Sequence, residues 1–251
     1  MLRLRRPAGD FARVGHRGAS ALAPENTLEA LELAVELGCD MLEFDVLDLV
    51  DGTLVLVHEL RRSARRRSLD ALRELTPKLP TLDETLAFCV ERLPGIGLQV
   101  DLKRRGLERG VVEALRRHGV LERSWVSTFD AVSLRRLAEL EPDLPRSYTL
   151  PRDRFGISKR GPLAPVVRGA LASVGASLPR RLPALLARAK AAAVTLHHSI
   201  ASPAAIARAH ELDAAVYVWT VDDPNLVERL VRAEVDGIIT NDPRVFTEVT
   251  T

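Results

Sequence analysis

ARVGHRGASALAPENTLEALELAVELGCDMLEFDV, residues 12 to 46, decides the fold of this chain. It opens on a short apolar run, Ala12 to His16, and turns through Gly15 and Gly18. A helix-period segment follows from Thr27 to Leu37, and a second apolar run, Met41 to Val46, closes the stretch. Leu28, Leu31 and Val35 share one face of the helix, Asn26 and Glu29 have the spacing of a capping box, and Gly38 stands at the C′ position. Strand, helix, strand in that order predicts two parallel strands joined by a crossover.

The same alternation runs down the chain. TLVLVH precedes a helix over Thr81–Leu93, IGLQVDL one over Leu107–His118, and SWVST one over Asp130–Leu140. RSYTL leads into a proline-rich helical region, AAVTLH into Ser202–His210, AAVYVWT into Asp222–Ala233, and DGIITN ends the series. About eight such units predict an α/β fold closed as a TIM (β/α)8 barrel, with an open doubly wound sheet as the alternative. No repeat or linker divides the chain, so residues 1–251 read as one domain. One segment breaks the rhythm, a short arginine-rich insertion after His58 that carries Arg61, Arg62, Arg65, Arg66 and Arg67. It reads as a solvated face or as a patch that attracts an anionic substrate.

Composition narrows the function. With 46% hydrophobic residues the chain can bury a large core, and 36 Lys plus Arg against 34 Asp plus Glu leave a formal charge of +2, which does not suggest a nucleic-acid partner. Cys39 and Cys89 stand singly in apolar sequence, as expected of core residues in a reducing compartment. The N-terminal residues have no apolar stretch of signal-peptide length and no run is long enough for a membrane span, so the expected location is the cytoplasm, without stable membrane insertion.

In a parallel barrel the site forms where strands end, and the strand ends here are ionisable. His16 and Arg17 end the first, and His58 ends the run after MLEFDV. Side chains alternate along a strand, so Glu43 and Asp45 share one face, with Leu42, Phe44 and Val46 on the other; Gln99, Asp101 and Lys103 are arranged alike. If Phe44 packs against helices, three carboxylates and a lysine enter one volume. A hard divalent cation, Mg²⁺, Ca²⁺ or Mn²⁺, would relieve their repulsion; the alternative is a salt-bridged strand end in which Arg17 and Lys103 pair with the carboxylates. His16 and His58 are either structural residues or an acid–base pair, and Arg17 and Lys103 would supply charge for an anion. Together the parts describe phosphoryl chemistry.

GHRG (15–18), PENT (24–27), EFDV (43–46), DGTLVLVHE (51–59), PTLDE (80–84), VDLK (100–103), VWTVDDP (218–224) and DGIITNDP (236–243) together resemble the glycerophosphodiester phosphodiesterases, in the family's order over nearly the whole chain. The resemblance implies a TIM barrel that uses a divalent metal to hydrolyse small-molecule glycerophosphodiesters to glycerol 3-phosphate and an alcohol. It implies His16 and His58 as acid–base pair, Glu43, Asp45 and Asp101 as metal ligands, Arg17 and Lys103 on the phosphate, and Trp219 lining the substrate site. Glu25 and Asn26 match the motif of the first loop, either supporting the site or capping the helix. The implied mechanism is attack by the substrate's 2-hydroxyl, a cyclic phosphate, and its opening by water. Asp101 stands where glutamate is usual, Glu59 where aspartate is usual, and the segment after His58 is shorter than in the family. A lysophospholipase D type activity, a non-catalytic phosphate-binding barrel and a metal-dependent aldolase or isomerase are the competing readings.

Overall fold

The alternation folds as it reads. A computed structural model describes residues 2–151 and 164–247. In chain order its elements are β1 (Ala12–His16), α1 (Leu28–Glu36), β2 (Met41–Asp48), β3 (Leu54–Leu56), α2 (Leu69–Arg73), α3 (Leu82–Glu91), β4 (Gly97–Leu102), α4 (Glu108–Arg117), β5 (Ser124–Thr128) and α5 (Ala131–Leu140). They continue as β6 (Arg146–Leu150), α6 (Ala164–Ala189), β7 (Ala193–His197), α7 (Pro203–Glu211), β8 (Ala215–Trp219), α8 (Pro224–Arg232) and β9 (Gly237–Thr240). The sheet runs β1-β9-β8-β7-β6-β5-β4-β2, all parallel, and β1 pairs with β2 to close it. This is a TIM barrel, not an open sheet. The proline-rich region expected after β6 falls partly on residues 152–163, which lie outside the described residues.

Two local expectations are corrected. TLVLVH is not a barrel strand: β3 pairs antiparallel with the end of β2, Val46 opposite Leu56. The few residues between β2 and β3 can make a hairpin but not the long crossover a parallel pair requires. At α1 the cap is Thr27, whose Oγ1 accepts from the Ala30 N–H at 3.2 Å, and not Asn26. Asn26 instead adopts φ +58°, is buried, and turns its side chain toward β2, while Glu29 pairs with Lys78.

Strand parity divides the core in two. Leu42, Phe44, Val46, Leu98, Val100 and Leu102 face the helices and join the main core, which also contains Cys39 and Cys89. Val14, Met41, Trp125, Tyr217 and Ile239 fill the barrel interior. The Trp125 and Tyr217 rings lie 4.6 Å apart, and they fit only beside glycine: a Cβ on Gly237 would fall 2.3 Å from Tyr217 Cε1. A one-residue slip of β2 would press the Glu43 and Asp45 carboxylates against the apolar helices without their cations, and would set Leu42 and Phe44 among the polar groups at the strand ends. The register of the site is thus fixed by the core.

After β3 the arginine-rich insertion folds over its own small core of Leu49, Val55, Leu72 and Leu79. Arg65 donates to Asp48 Oδ1 at 2.7 Å, and Arg61, Arg62, Arg66 and Arg67 are exposed. Among the described residues no helix is long and apolar enough to cross a membrane.

Candidate active site

On three strands the inward positions become polar toward the C-terminal end: Val14 gives way to His16, Met41 to Glu43 and Asp45, and Trp125 to Ser127, while Tyr217 gives way to Trp219. Register aligns them, with His16 beside Glu43, Glu43 beside Gln99, and Asp45 beside Asp101. The loop after β1 is seated by Gly18, at φ +78°, where a Cβ would lie 2.3 Å from the Ala30 carbonyl carbon on α1. That close approach leaves Arg17, at φ +57°, with its main-chain N–H donating to Glu43 Oε2 at 2.9 Å. Arg17 Nη1 donates to Glu25 Oε2 at 2.6 Å, and its Nε forms an ion pair with Asp45 at 2.9 Å.

Glu43, Asp45 and Asp101 are buried, and one oxygen of each lies within 4.8 Å of the others. Asn26 clamps Asp45 twice: its Nδ2 donates to Asp45 Oδ2 at 2.9 Å, and its Oδ1 accepts the Asp45 N–H at 3.0 Å. Asn26 therefore orients a carboxylate, while the next residue of the same motif, Thr27, starts the helix. Lys103 Nζ lies 2.5 Å from Asp45 Oδ1 and 2.6 Å from Asp101 Oδ2, and Ser127 Oγ donates to Asp101 Oδ1 at 2.6 Å. Both readings of the strand ends are thus present, as convergent carboxylates and as ion pairs with Arg17 and Lys103. Against its burial, Asp45 is held well below the usual carboxylate range by Lys103 and Arg17, while burial and then the charge of Asp45 push Glu43 up. Burial works against the Lys103 ammonium, but Asp101 and Asp45 outweigh it and raise its pKa.

His16 Nε2 faces Glu43 Oε2 at 3.9 Å, and its Nδ1 meets Asn241 Oδ1 at 2.7 Å. Burial, then Arg17, lowers its pKa to about 4. His58 is half-buried, and burial, then Lys103, lowers its pKa too. No hydrogen bond holds the His58 ring among the described residues, and Glu59 beside it is exposed.

The facing wall is aromatic. Trp219 meets Phe129 edge-on at 5.8 Å and His197 at 5.3 Å. A cavity between the walls is lined by His16, Arg17, Glu43, His58, Asp101, Lys103 and Trp219, all expected from the sequence, by Gln99, whose inward face strand parity also gives, and by Phe129 and Thr149, which were not expected. Gln99 Oε1, Thr149 Oγ1 and Trp219 Nε1 are buried without a hydrogen-bond partner. Such orphans are costly unless something polar occupies the space before them. Asn241 and Asp222 were also missed; each sits just beyond a barrel strand, a position that marks site residues in this fold.

The sequence matches the Glycerophosphoryl diester phosphodiesterase family over residues 16–245. It is 26% identical to the glycerophosphodiester phosphodiesterase of Caldanaerobacter subterraneus subsp. tengcongensis, over 93% of this chain and 95% of that one. The crystal structure of a glycerophosphodiester phosphodiesterase from Parabacteroides distasonis superposes with a TM-score of 0.76 at 23% identity, covering 95% of each chain. An Oleispira antarctica phosphodiesterase, solved in complex with the product sn-glycerol-3-phosphate, gives 0.73 at 22% identity, covering 94% of this chain and 95% of that one.

Proposed function

The chain belongs to the glycerophosphoryl diester phosphodiesterase family and is an enzyme of that activity, and we propose that it releases glycerol 3-phosphate and an alcohol with His16 and His58 as its acid–base pair. One juxtaposition carries the reading. Two imidazoles, two cations and the carboxylates of Glu43 and Asp101 line one cavity, and the third carboxylate, Asp45, is buried against both cations. The Oleispira protein's product is the one expected here.

The donor set fits a hard divalent cation: three buried carboxylates with oxygens within 4.8 Å, and no sulfur ligand. Glu43, Asp45 and Asp101 would hold Mg²⁺, Ca²⁺ or Mn²⁺, which when bound supplies neutralisation of charge on the phosphoryl oxygens. The shorter Asp101 is compatible with this set, since its oxygen already lies with the other two.

Arg17 and Lys103 bind the phosphate, and Trp219 and Phe129 face its organic substituents. A phosphodiester anion in the cavity favours the charged form of a nearby imidazole. One histidine accepts the 2-hydroxyl proton as that oxygen bonds phosphorus; the other gives a proton to the departing alcohol. Water then opens the cyclic phosphate with the roles reversed. Residues 1–251 act as one domain, and two free, buried cysteines suit the reducing cytoplasm.

The test is hydrolysis of glycerophosphocholine and glycerophosphoethanolamine with Mg²⁺ or Ca²⁺, read as glycerol 3-phosphate released, beside an EDTA control and a diester lacking a neighbouring hydroxyl. Turnover should vanish in EDTA and with the hydroxyl-free diester. Full activity in chelator refutes the metal site, and equal cleavage of the two ester types refutes internal attack.

A further inference from the structure

Asn241 lies 225 residues from His16 in sequence and 2.7 Å from it in space, Oδ1 to Nδ1. Its own orientation is fixed from behind. Asn241 Nδ2 donates to Asp222 Oδ2 at 2.6 Å, the Asn241 main-chain N–H donates to Asp222 Oδ1 at 2.8 Å, and Thr240 Oγ1 donates to the same oxygen at 2.9 Å. A carboxylate accepts and does not donate, so the amide NH₂ must face Asp222 and the amide oxygen must face His16. Ser20 Oγ donates to that oxygen as well, at 2.9 Å. An amide oxygen only accepts. The hydrogen in the contact with His16 therefore belongs to Nδ1, and in the neutral ring Nε2 is bare. Nε2 is the nitrogen turned toward Glu43, which lines the cavity.

We propose that Asp222 and Asn241 are positioning residues that lock His16 in its Nδ1–H tautomer and so make it the group that takes the first proton. The proposal rests on the reading of His16 and His58 as the acid–base pair and assigns their order. The 2-hydroxyl O–H bond breaks, its proton passes to His16 Nε2, and its electron pair forms the new O–P bond. The P–O bond to the alcohol breaks, and the departing oxygen takes the proton carried by His58. In the second half, water gives a proton to His58 as its oxygen bonds phosphorus. His16 then returns its Nε2 proton to the 2-oxygen as the ring opens. Throughout, Nδ1–H stays on Asn241, so neither the ring plane nor the tautomer changes between the two halves.

The experiment is long-range ¹H–¹⁵N correlation NMR of the full chain labelled in histidine nitrogen, near neutral pH, with the His16 signals assigned by their loss in His16→Gln. The expected pattern is Nδ1–H for His16. Asn241→Ala should move it toward Nε2–H and lower kcat about tenfold to a hundredfold, with KM nearly unchanged. The exchange Asp222→Asn with Asn241→Asp, which keeps an acceptor on His16 and a donor between the two side chains, should restore the Nδ1–H pattern and most of kcat. A role in folding alone would lower the stability of Asn241→Ala and leave the His16 tautomer of its folded form in place. An Nε2–H pattern in the wild-type protein overturns the proposal without any variant, and so does Asn241→Ala with tautomer and kcat unchanged. Normal turnover of His16→Gln overturns instead the acid–base reading beneath it, and the tautomer measurement tells the two failures apart.

Discussion

Asp45 and Asp101 stand opposite each other across β2 and β4, and the Lys103 ammonium bridges them, 2.5 Å from one and 2.6 Å from the other. Without a cation these two carboxylates and Glu43 would crowd a buried space as like charges.

Lys103→Met tests that bridge directly. Removing one partner of a buried ion pair strands the others, and the variant should lose about 3 kcal/mol of stability in EDTA. Saturating Mg²⁺ or Ca²⁺ should return part of the loss, because a ligand that binds only the folded state stabilises it. Urea unfolding of wild type and variant, each with and without metal, gives the four values. Equal midpoints in EDTA would show that Lys103 does not hold the carboxylates together.

The lowered pKa of His16 sets a pH dependence of stability. Its folded-state value of about 4 lies below the ordinary 6.5, so between those values the unfolded chain binds the proton and the folded chain does not. Its contribution is complete above pH 6.5 and is lost as pH falls toward 4. In EDTA, His16→Gln should therefore show a shallower decline in unfolding free energy over this interval, by about one proton in slope. Parallel curves for the two proteins would mean that His16 titrates normally in the fold.

Much of this site is legible in local sequence, because strand parity is local: once Phe44 is taken to face helices, Glu43 and Asp45 must face inward, and Asp101 and Lys103 follow by the same rule. What parity does not carry is partnership. The run Leu54–Leu56 has the composition of a barrel strand, and only the short connection before it makes it a hairpin arm. Asn26 has the spacing of a cap, yet its positive φ turns it onto Asp45. The contact of Asn241 with His16 is made by ring closure between the first and last strands, which no window of sequence contains.

Gly18→Ala examines how the Arg17 loop is seated. The new methyl would meet the Ala30 carbonyl carbon at 2.3 Å, and φ of +78° is a conformation side chains rarely adopt, so the loop must lift from α1. Arg17 would then lose its main-chain bond to Glu43. The expected result is a loss of about 1–3 kcal/mol in stability together with a fall in kcat/KM of roughly tenfold or more. Gly52→Ala is the control, since its φ is also positive, at +89°, but no atom lies within 4 Å. If both variants lose stability while both keep kcat/KM, the seating of this loop does not govern the site.

Trp219 separates binding from chemistry. It lies across the cavity from the carboxylates, edge-on to Phe129 and His197, and its Nε1 has no partner. If Trp219 meets the organic part of the substrate as proposed, it does so about equally in the ground and transition states, and its loss should appear in KM. Trp219→Ala should raise KM for glycerophosphocholine about tenfold or more, with kcat within a few-fold. Trp219→Phe keeps the aromatic surface and removes only the N–H, whose hydrogen bond is worth about 1 kcal/mol, so KM should rise by roughly fivefold if substrate accepts it. A fall in kcat at constant KM would instead place Trp219 among the groups that act on the reacting phosphorus, contrary to its position opposite the cations.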